Sequence, residues 1–194
     1  MINVFLLAII AANILISMKG FNDESFFRKY QFHVGSIRAG EQIRMISSAF
    51  LHADFVHLAF NMIALYSFAP VVTETLGNLT FLLIYAGSLI FGSLLTMVFH
   101  GNEYNYRAVG ASGAIYGVLV AFGMTFPNAK LALIFFPVPI AAKYFIPAII
   151  LGDLFFGMTS YSIGNVAHFA HVGGALIGFI IAWYWKQNQF KRWN

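Results

Sequence analysis

The chain of 194 residues is 60% hydrophobic and only 9% charged, whereas a soluble domain carries about 25% charged residues. Eleven basic and seven acidic side chains cannot cover that much apolar surface, which excludes a soluble enzyme, a disordered chain and a coiled coil. The net charge of +4 comes from scattered basic residues and indicates membrane topology rather than nucleic-acid binding, and the absence of cysteine excludes disulfides, thiolate nucleophiles and cysteine-ligated metals.

Six apolar segments predict transmembrane helices, because a helix that spans a bilayer needs about 20 predominantly apolar residues. They cover residues of about 2–18, 52–70, 79–99, 111–126, 144–158 and 165–185. No basic residue precedes the first segment and no small-residue cleavage site follows it, so we expect this helix to be retained rather than removed as a signal peptide. The predicted fold is an all-α, polytopic membrane protein in which residues 1–194 form one compact six-helix domain.

Two segments between the helices are predicted to lie in the membrane interface. Residues 19–51 combine five basic residues with several Phe and Tyr residues, a composition typical of amphipathic segments at a membrane surface. Residues 131–142 are apolar but carry Pro137 and Pro139, which argues against a helix. Six helices place both termini on one side of the membrane. Basic residues are nearly equal on the two sides, although those near the C-terminus favour a cytoplasmic C-terminus.

Polar residues inside the apolar segments are the candidates for function, because burying them in a membrane is costly. His57 and Asn61 are four residues apart and share a helix face, as do His168 and His171 at a spacing of three. Together with Ser112, they lie near the ends of the second, fourth and sixth helices that face the same side of the membrane. The fourth helix is roughly 22 Å long and starts below the surface, so these residues can meet at a common depth.

Glycine patterns predict that the fourth and sixth helices pack closely. Each of these helices carries a G-x-x-x-G pattern, and the four glycines are Gly113, Gly117, Gly174 and Gly178. Helix faces made of such small residues let the backbones of two helices approach each other within a membrane. Ser112 directly precedes the first pattern and His171 lies one turn before the second. Packing of the two faces would therefore place Ser112 beside His171.

Ser112 and His171 form a candidate nucleophile and general base. A serine hydroxyl is a poor nucleophile until a base removes its proton, and histidine is the usual base. No carboxylate lies near either residue in the sequence, which favours a Ser-His dyad over a triad. His168 is the alternative base, but the glycine spacing follows His171. Tyr116, one turn after Ser112, is placed to stack on the imidazole.

The oxyanion formed in such a reaction needs hydrogen-bond donors aimed at it. The backbone N–H of Ser112 is expected to be free at a helix N-terminus, where the helix dipole also favours negative charge. His57 and Asn61 are candidate side-chain donors. His52 and the polar loop 100–110 are expected to keep a water-filled cavity open, although a structural hydrogen bond to loop backbone is favoured for His52.

Asp153 is an ionisable residue within the fifth predicted helix. Such a residue marks a proton or ion relay in some membrane proteins. A position near the aqueous end of the helix, or a hydrogen bond between helices, is the favoured interpretation here.

Three motifs together resemble those of the rhomboid intramembrane serine proteases. They are H-x4-H-x3-N over residues 52–61, G-x-S-G over residues 110–113 and H-x-x-G-x-x-x-G over residues 171–178, in the family's order. Tyr116 occupies the family's tyrosine position, and the similarity extends over about residues 41–180.

The resemblance implies that Ser112 is the nucleophile and His171 the general base, with an oxyanion hole formed by the Ser112 N–H, His57 and Asn61. The residues interpreted as supporting the site are Tyr116, Gly110, Gly113 and His52. The implied activity is cleavage of other membrane proteins in or near their transmembrane segments. The resemblance also implies a location in the cell membrane, with both termini cytoplasmic and the site open to the opposite side. Contact with lipid is expected, and a metal, another cofactor or nucleic acid is not.

Other functions remain open from the sequence. A non-catalytic relative would bind transmembrane segments without cutting them. The histidines at positions 52, 57, 168 and 171 could instead surround Zn²⁺ in a metalloprotease or metal transporter, since neutral imidazole is a common zinc ligand, although the sequence has no H-E-x-x-H motif. A channel or secondary transporter is less favoured, because no inverted repeat is evident.

Overall fold

Long apolar stretches with few helix-breaking residues give the chain a mostly helical fold. A computed structural model describes residues 3–133, 136–159 and 166–192. Its helices are α1 (Val4–Asn22), α2 (Glu24–Tyr30), α3 (Val34–Arg38), α4 (Arg44–Ser47), α5 (Phe55–Leu76), α6 (Asn78–His100), α7 (Ser112–Thr125), α8 (Ala142–Met158) and α9 (His168–Arg192), with a 3₁₀ turn at Ser48–Phe50. The strands form two antiparallel pairs, β1 (Phe32–His33) with β2 (Arg107–Ala108) and β3 (Lys130–Leu133) with β4 (Phe136–Ala141).

Within the described residues, four helices are long and apolar enough to cross a membrane. They are α1, α5, α6 and the His168–Asn188 part of α9. Helix α7 is apolar but has only 14 residues, or about 21 Å at 1.5 Å per residue, which is less than the ~30 Å hydrocarbon core. Helix α8 has 17 residues and carries Lys143 and Asp153. The prediction of a mostly helical membrane protein is confirmed, while the six-span topology stays a prediction.

The predicted end of the second helix at residue 70 is wrong, because α5 continues through Pro70 to Leu76. A proline inside a helix leaves backbone carbonyl groups without their usual partners. Pro70 cannot donate to the carbonyl of Tyr66 one turn earlier, and α5 continues without this one bond. The Thr73 hydroxyl donates to the carbonyl oxygens of Ala69 and Pro70, each at 2.8 Å, within the same helix. The helix ends instead at Gly77, whose φ of +89° is a conformation that glycine adopts without strain.

The other boundaries differ by a few residues. Helix α1 extends to Asn22 rather than residue 18, and α9 begins at His168. The predicted start of the sixth helix at residue 165 lies outside the described residues, as does that of the first at residue 2. Of the apolar segment 131–142, the described residues up to Ala141 are not helical, in agreement with the two prolines. They belong to the β3–β4 pair, in which Lys130 pairs with Ala141, and α8 begins at Ala142.

In the predicted interfacial segment 19–51, the first residues belong to α1, and the rest forms short helices and strand β1 around a buried arginine. The side chain of Arg44 is largely buried, and its Nη1 donates to the carbonyl oxygens of Arg28 at 2.7 Å and Gln31 at 3.2 Å. Its Nη2 pairs with Glu41 at 2.6 Å, so the buried charge is neutralised. Strand β1 then ties this segment to β2, which precedes α7. Its location in the membrane interface stays a prediction.

Helix α9 packs against α6, α7 and α8, and it crosses α7 at the two glycine patterns. A Cβ on Gly174 would overlap the carbonyl group of Gly113, and one on Gly178 would overlap the backbone of Gly117. The Ser88 hydroxyl of α6 donates to the Gly174 carbonyl at 2.9 Å, which joins a third helix to the crossing. The predicted close approach of these helices is therefore present, and it brings the start of α7 next to the start of α9.

Gly174→Ala is expected to destabilise the protein by about 1–3 kcal/mol, because the added methyl group forces the α7 and α9 backbones apart. The control is Gly152→Ala in α8, where an added Cβ meets nothing within 4 Å. Replacing that helical glycine should be neutral or stabilise by up to about 1 kcal/mol. Thermal unfolding of the purified protein in detergent measures both variants, and equal stabilities would contradict the proposed role of the crossing.

Candidate active site

Ser112 and His171 meet where α7 and α9 begin. Ser112 is the first residue of α7, and His171 lies in the first turn of α9. The Nε2 of His171 is 2.8 Å from the Oγ of Ser112, which is hydrogen-bond distance. His171 is only 8% exposed, so this contact is formed largely away from solvent.

Two further side chains hold the imidazole of His171. The ring of Tyr116 stacks on it with a centroid separation of 4.2 Å and an interplanar angle of 10°. The Oδ1 of Asp153 lies 3.0 Å from its Nδ1. Because an ionised carboxylate can only accept, Nδ1 carries the proton and Nε2 is left as an acceptor for the hydroxyl of Ser112.

The carboxylate of Asp153 is the group that the sequence analysis does not foresee at this position. The sequence favours a Ser-His dyad without a carboxylate, but Asp153 reaches His171 from α8, 18 residues earlier in the chain. The Nδ1 of His168 lies 2.7 Å from the same carboxylate oxygen. Both histidines therefore contact the carboxylate, and His171 also contacts Ser112. The signal in the sequence is a single acidic residue within an apolar helix.

His57 lies beside Ser112 because Gly110 leaves room for it. Gly110 has a φ of +126°, and a Cβ there would be 2.8 Å from Cε1 of His57 and 3.7 Å from the Ser112 Oγ. Only glycine fits both this backbone conformation and this approach. The backbone N–H of Ala53 donates to the Nδ1 of His57 over 3.5 Å. This bond leaves Nε2 as the protonated nitrogen, so His57 presents a donor near Ser112.

Asn61 lies one turn after His57 and is buried. Its Nδ2 donates to the carbonyl of His57 at 2.9 Å, and its Oδ1 has no hydrogen-bond partner among the described residues. The contacts of Asn61 thus lie within its own helix, with one Nδ2 hydrogen still available for a ligand.

His52 precedes α5, lies outside the spanning helices and contacts the ring of His57. It is fully buried, its Nδ1 is 2.8 Å from the Oγ of Ser17, and its ring meets that of His57 edge-on at 5.0 Å. The Ser17 hydroxyl donates to the carbonyl of Phe50, so His52 Nδ1 must be the donor to Ser17. Burial lowers the pKa of His52 to about 3, and the imidazole is neutral.

A small cavity of about 30 Å³ adjoins Ser112. The residues that line it include Ser48, Ser93 and Thr96, together with Gly110. This volume is large enough for a water molecule, which needs at least about 10–15 Å³. His52, expected to help keep a water-filled cavity open, does not line this cavity.

The four histidines do not converge on one point. His52 and His57 contact each other, while His168 and His171 meet at Asp153. In the part of the chain that the structure describes, no group of three or more His, Cys, Asp or Glu side chains is arranged to hold a metal ion.

Comparison with known proteins supports the motif resemblance. The family profile described as the Rhomboid domain matches residues 39–188. Rhomboid protein 1, mitochondrial, from Saccharomyces cerevisiae is 35% identical over 148 residues, which are 74% of this chain and 42% of the yeast protein. Two proteins from Bacillus subtilis are also similar. The putative rhomboid protease YdcA is 34% identical over 79% of this chain and 72% of its own length, and the rhomboid protease GluP is 35% identical over 75% and 26%.

The chain thus spans less than half of the yeast protein and about a quarter of GluP, but most of YdcA. The matched domain covers the segment from before α4 to the end of the spanning part of α9, including every candidate site residue. The chain therefore belongs to the rhomboid family.

Proposed function

We propose that this protein is an intramembrane serine endopeptidase with Ser112 as nucleophile and His171 as general base. The observation that carries the proposal is the 2.8 Å contact between the His171 Nε2 and the Ser112 Oγ, in a chain of the rhomboid family. A base within hydrogen-bond reach of a serine hydroxyl is the geometry that nucleophilic catalysis requires. Names of two relatives include the word protease, which supports the same activity.

The reaction proceeds in two stages. Nε2 of His171 takes the proton from Ser112 while Oγ attacks the carbonyl carbon of the scissile peptide bond. The protonated imidazole then gives that proton to the leaving amine, and the peptide bond breaks to leave an acyl-serine ester. Water, activated by the same nitrogen, hydrolyses the ester. The cavity beside Ser112 is placed to supply this water.

The negative charge on the carbonyl oxygen is stabilised by the start of α7 and by α5. Residue Ala111 at the N-cap makes no side-chain hydrogen bond, so the first backbone N–H groups of α7 remain available. The N–H of Ser112 is the donor that α7 contributes in this proposal. The Nε2–H of His57 and the Nδ2 of Asn61 complete the proposed oxyanion hole, and desolvation strengthens all three interactions.

The substrates are transmembrane segments of other membrane proteins, cut near the membrane surface. The reactive groups lie at one end of an apolar helical bundle, where a substrate helix would have to unwind to expose a peptide bond. In the proposed topology six helices cross the membrane, with both termini cytoplasmic and the site open to the opposite side. Lipid surrounds the exposed apolar faces of the helices.

Ser112→Ala is expected to abolish labelling by a fluorophosphonate probe, because the variant lacks the nucleophilic oxygen. Fluorescence of the purified protein in detergent measures the labelling, and circular dichroism verifies the fold. The control is Ser67→Ala, which removes an exposed hydroxyl bonded to the carbonyl of Ile63 in its own helix and should label at the wild-type rate. A chelator should not change the labelling rate of the wild type or of Ser67→Ala.

Labelling of Ser112→Ala would disprove the assigned nucleophile. A folded wild-type protein that does not label would indicate a rhomboid relative that binds transmembrane segments without cutting them. Loss of labelling with the chelator would indicate a metal site.

Tyr116→Phe should label within about threefold of the wild-type rate, because the stacking on His171 survives without the hydroxyl. Tyr116→Ala removes the stacked ring and should slow labelling by roughly 10-fold to 100-fold, since the base is then less well oriented. The second-order rate constants of fluorophosphonate labelling provide the measurement. A Tyr116→Ala variant that reacts as fast as Tyr116→Phe would show that stacking does not orient the base.

His57→Ala is expected to lower the rate of labelling by about 10²-fold to 10³-fold through loss of one oxyanion donor. Its control is His100→Ala, because that imidazole pairs with Glu103 at 2.9 Å and stacks on Tyr106, away from Ser112. The labelling rates of the two variants are compared after correction for the fraction of each protein that is folded. Equal rates for the two variants would remove His57 from the proposed oxyanion hole.

A further inference from the structure

The carboxylate of Asp153 is the one feature of the site that a Ser-His dyad does not use. It is only 8% exposed, and α8 carries no other acidic residue. Burying an ionised carboxylate in an apolar environment is costly unless the charge is paired and hydrogen-bonded. Its partners are the Nδ1 atoms of His168 and His171.

The structure assigns to Asp153 the role of a positioning residue that fixes the protonation pattern and orientation of His171, an inference that rests on the proposed function. The imidazole of His171 then has three contacts in three directions. Asp153 meets Nδ1, Ser112 meets Nε2, and Tyr116 covers one ring face. Such a ring is oriented for proton transfer before any substrate binds.

The tautomer is the first consequence of this contact. Neutral imidazole carries its proton on either nitrogen, and only the form with the proton on Nδ1 leaves Nε2 free to accept from Ser112. A carboxylate at Nδ1 favours that form. During the reaction the serine proton moves to Nε2, the Nδ1 proton stays on His171, and Asp153 remains ionised.

Charge stabilisation is the second consequence. His171 becomes an imidazolium when it takes the serine proton, and its side chain is only 10% exposed to solvent. Water therefore contributes little to stabilising that charge. The carboxylate of Asp153 lies 3.0 Å away and carries the opposite charge, and its attraction is weakly screened because little water is present. The same attraction stabilises the transition state of acyl transfer, in which His171 becomes positively charged.

Contacts around Asp153 keep the carboxylate in place. His168 binds the same oxygen from one turn earlier in α9. One turn after Asp153, Gly157 lets α8 approach α9 so closely that a Cβ there would be 3.1 Å from the Cβ of His168. The carboxylate is thus anchored by His168 and by the packing of two helices in addition to its contact with His171.

The test combines kinetics with NMR on the full chain in detergent. Asp153→Asn keeps the shape of the side chain, but its amide can donate to Nδ1 and so favour the wrong tautomer of His171. We expect the maximal rate of fluorophosphonate inactivation to fall on the order of 10²-fold to 10⁴-fold, with the apparent affinity for the probe unchanged. In the wild type, histidine-selective ¹⁵N labelling should show the Nδ1–H resonance of His171, assigned by its loss in His171→Asn. Asp153→Asn should lose this resonance.

Two other variants distinguish positioning from a purely structural role. Asp23→Asn removes an exposed carboxylate at the start of α2 and should react at the wild-type rate, because asparagine also caps helices. His168→Asn removes the other partner of Asp153 and should lower the thermal unfolding temperature, yet retain the Nδ1–H resonance of His171.

The outcomes separate the two proposals. A wild-type protein that labels, together with an Asp153→Asn variant that labels equally fast or keeps the Nδ1–H resonance, would overturn the role of Asp153 and leave the protease function intact. A folded wild-type protein that never labels would overturn the proposed function, and the role of Asp153 with it. A large rate loss together with a lost resonance would support the inference.

Discussion

The close approach of α7 and α9 is the contact on which the geometry of the site depends. Two glycines on each helix let the backbones touch, and a methyl group at Gly174 or Gly178 would already overlap the facing chain. Ser112 and His171 sit at the start of these helices, so the packing of glycines one or two turns away sets the distance between their reactive atoms. Close backbone packing at the glycines thus sets a polar contact of 2.8 Å between side chains at the helix ends.

Around this contact, polar side chains are held by partners from other elements. The donor chain from His52 through Ser17 to the carbonyl of Phe50 links α1 to the segment before α5. Asp153 links α8 to α9 in the same way. Such contacts matter more in an apolar bundle than at a protein surface, because water is not present to replace a lost partner. They fix side-chain orientation, while the glycine crossing fixes the backbone.

Local spacing in the sequence predicted the parts of the site that lie within one helix or one close crossing. Tyr116 follows Ser112 by one turn, and the glycine patterns face each other as expected. A hydrogen bond between helices was one of the favoured interpretations of Asp153, but its partner His171 could not be predicted, because the contact depends on how α8 is rotated and how deep it lies against α9. The predicted end of α5 at Pro70 was wrong, because a proline removes only one backbone donor and a long helix can continue past it; α5 ends at Gly77, where φ is positive.

The start of α7 has a consequence for how far this protein can be stabilised. Helices α1, α2 and α5 begin with side-chain caps from Asn3, Asp23 and Asp54, whereas α7 begins at Ala111 without one. A good cap commonly adds about 1 kcal/mol to stability. At Ala111 a capping oxygen would accept from the N–H of Gly113 or Ala114, and it would place negative charge density beside the Ser112 N–H that the proposed oxyanion hole requires. Selection for thermostability and selection for turnover therefore oppose each other at this one position, and a stability-guided redesign of the chain should leave it unchanged.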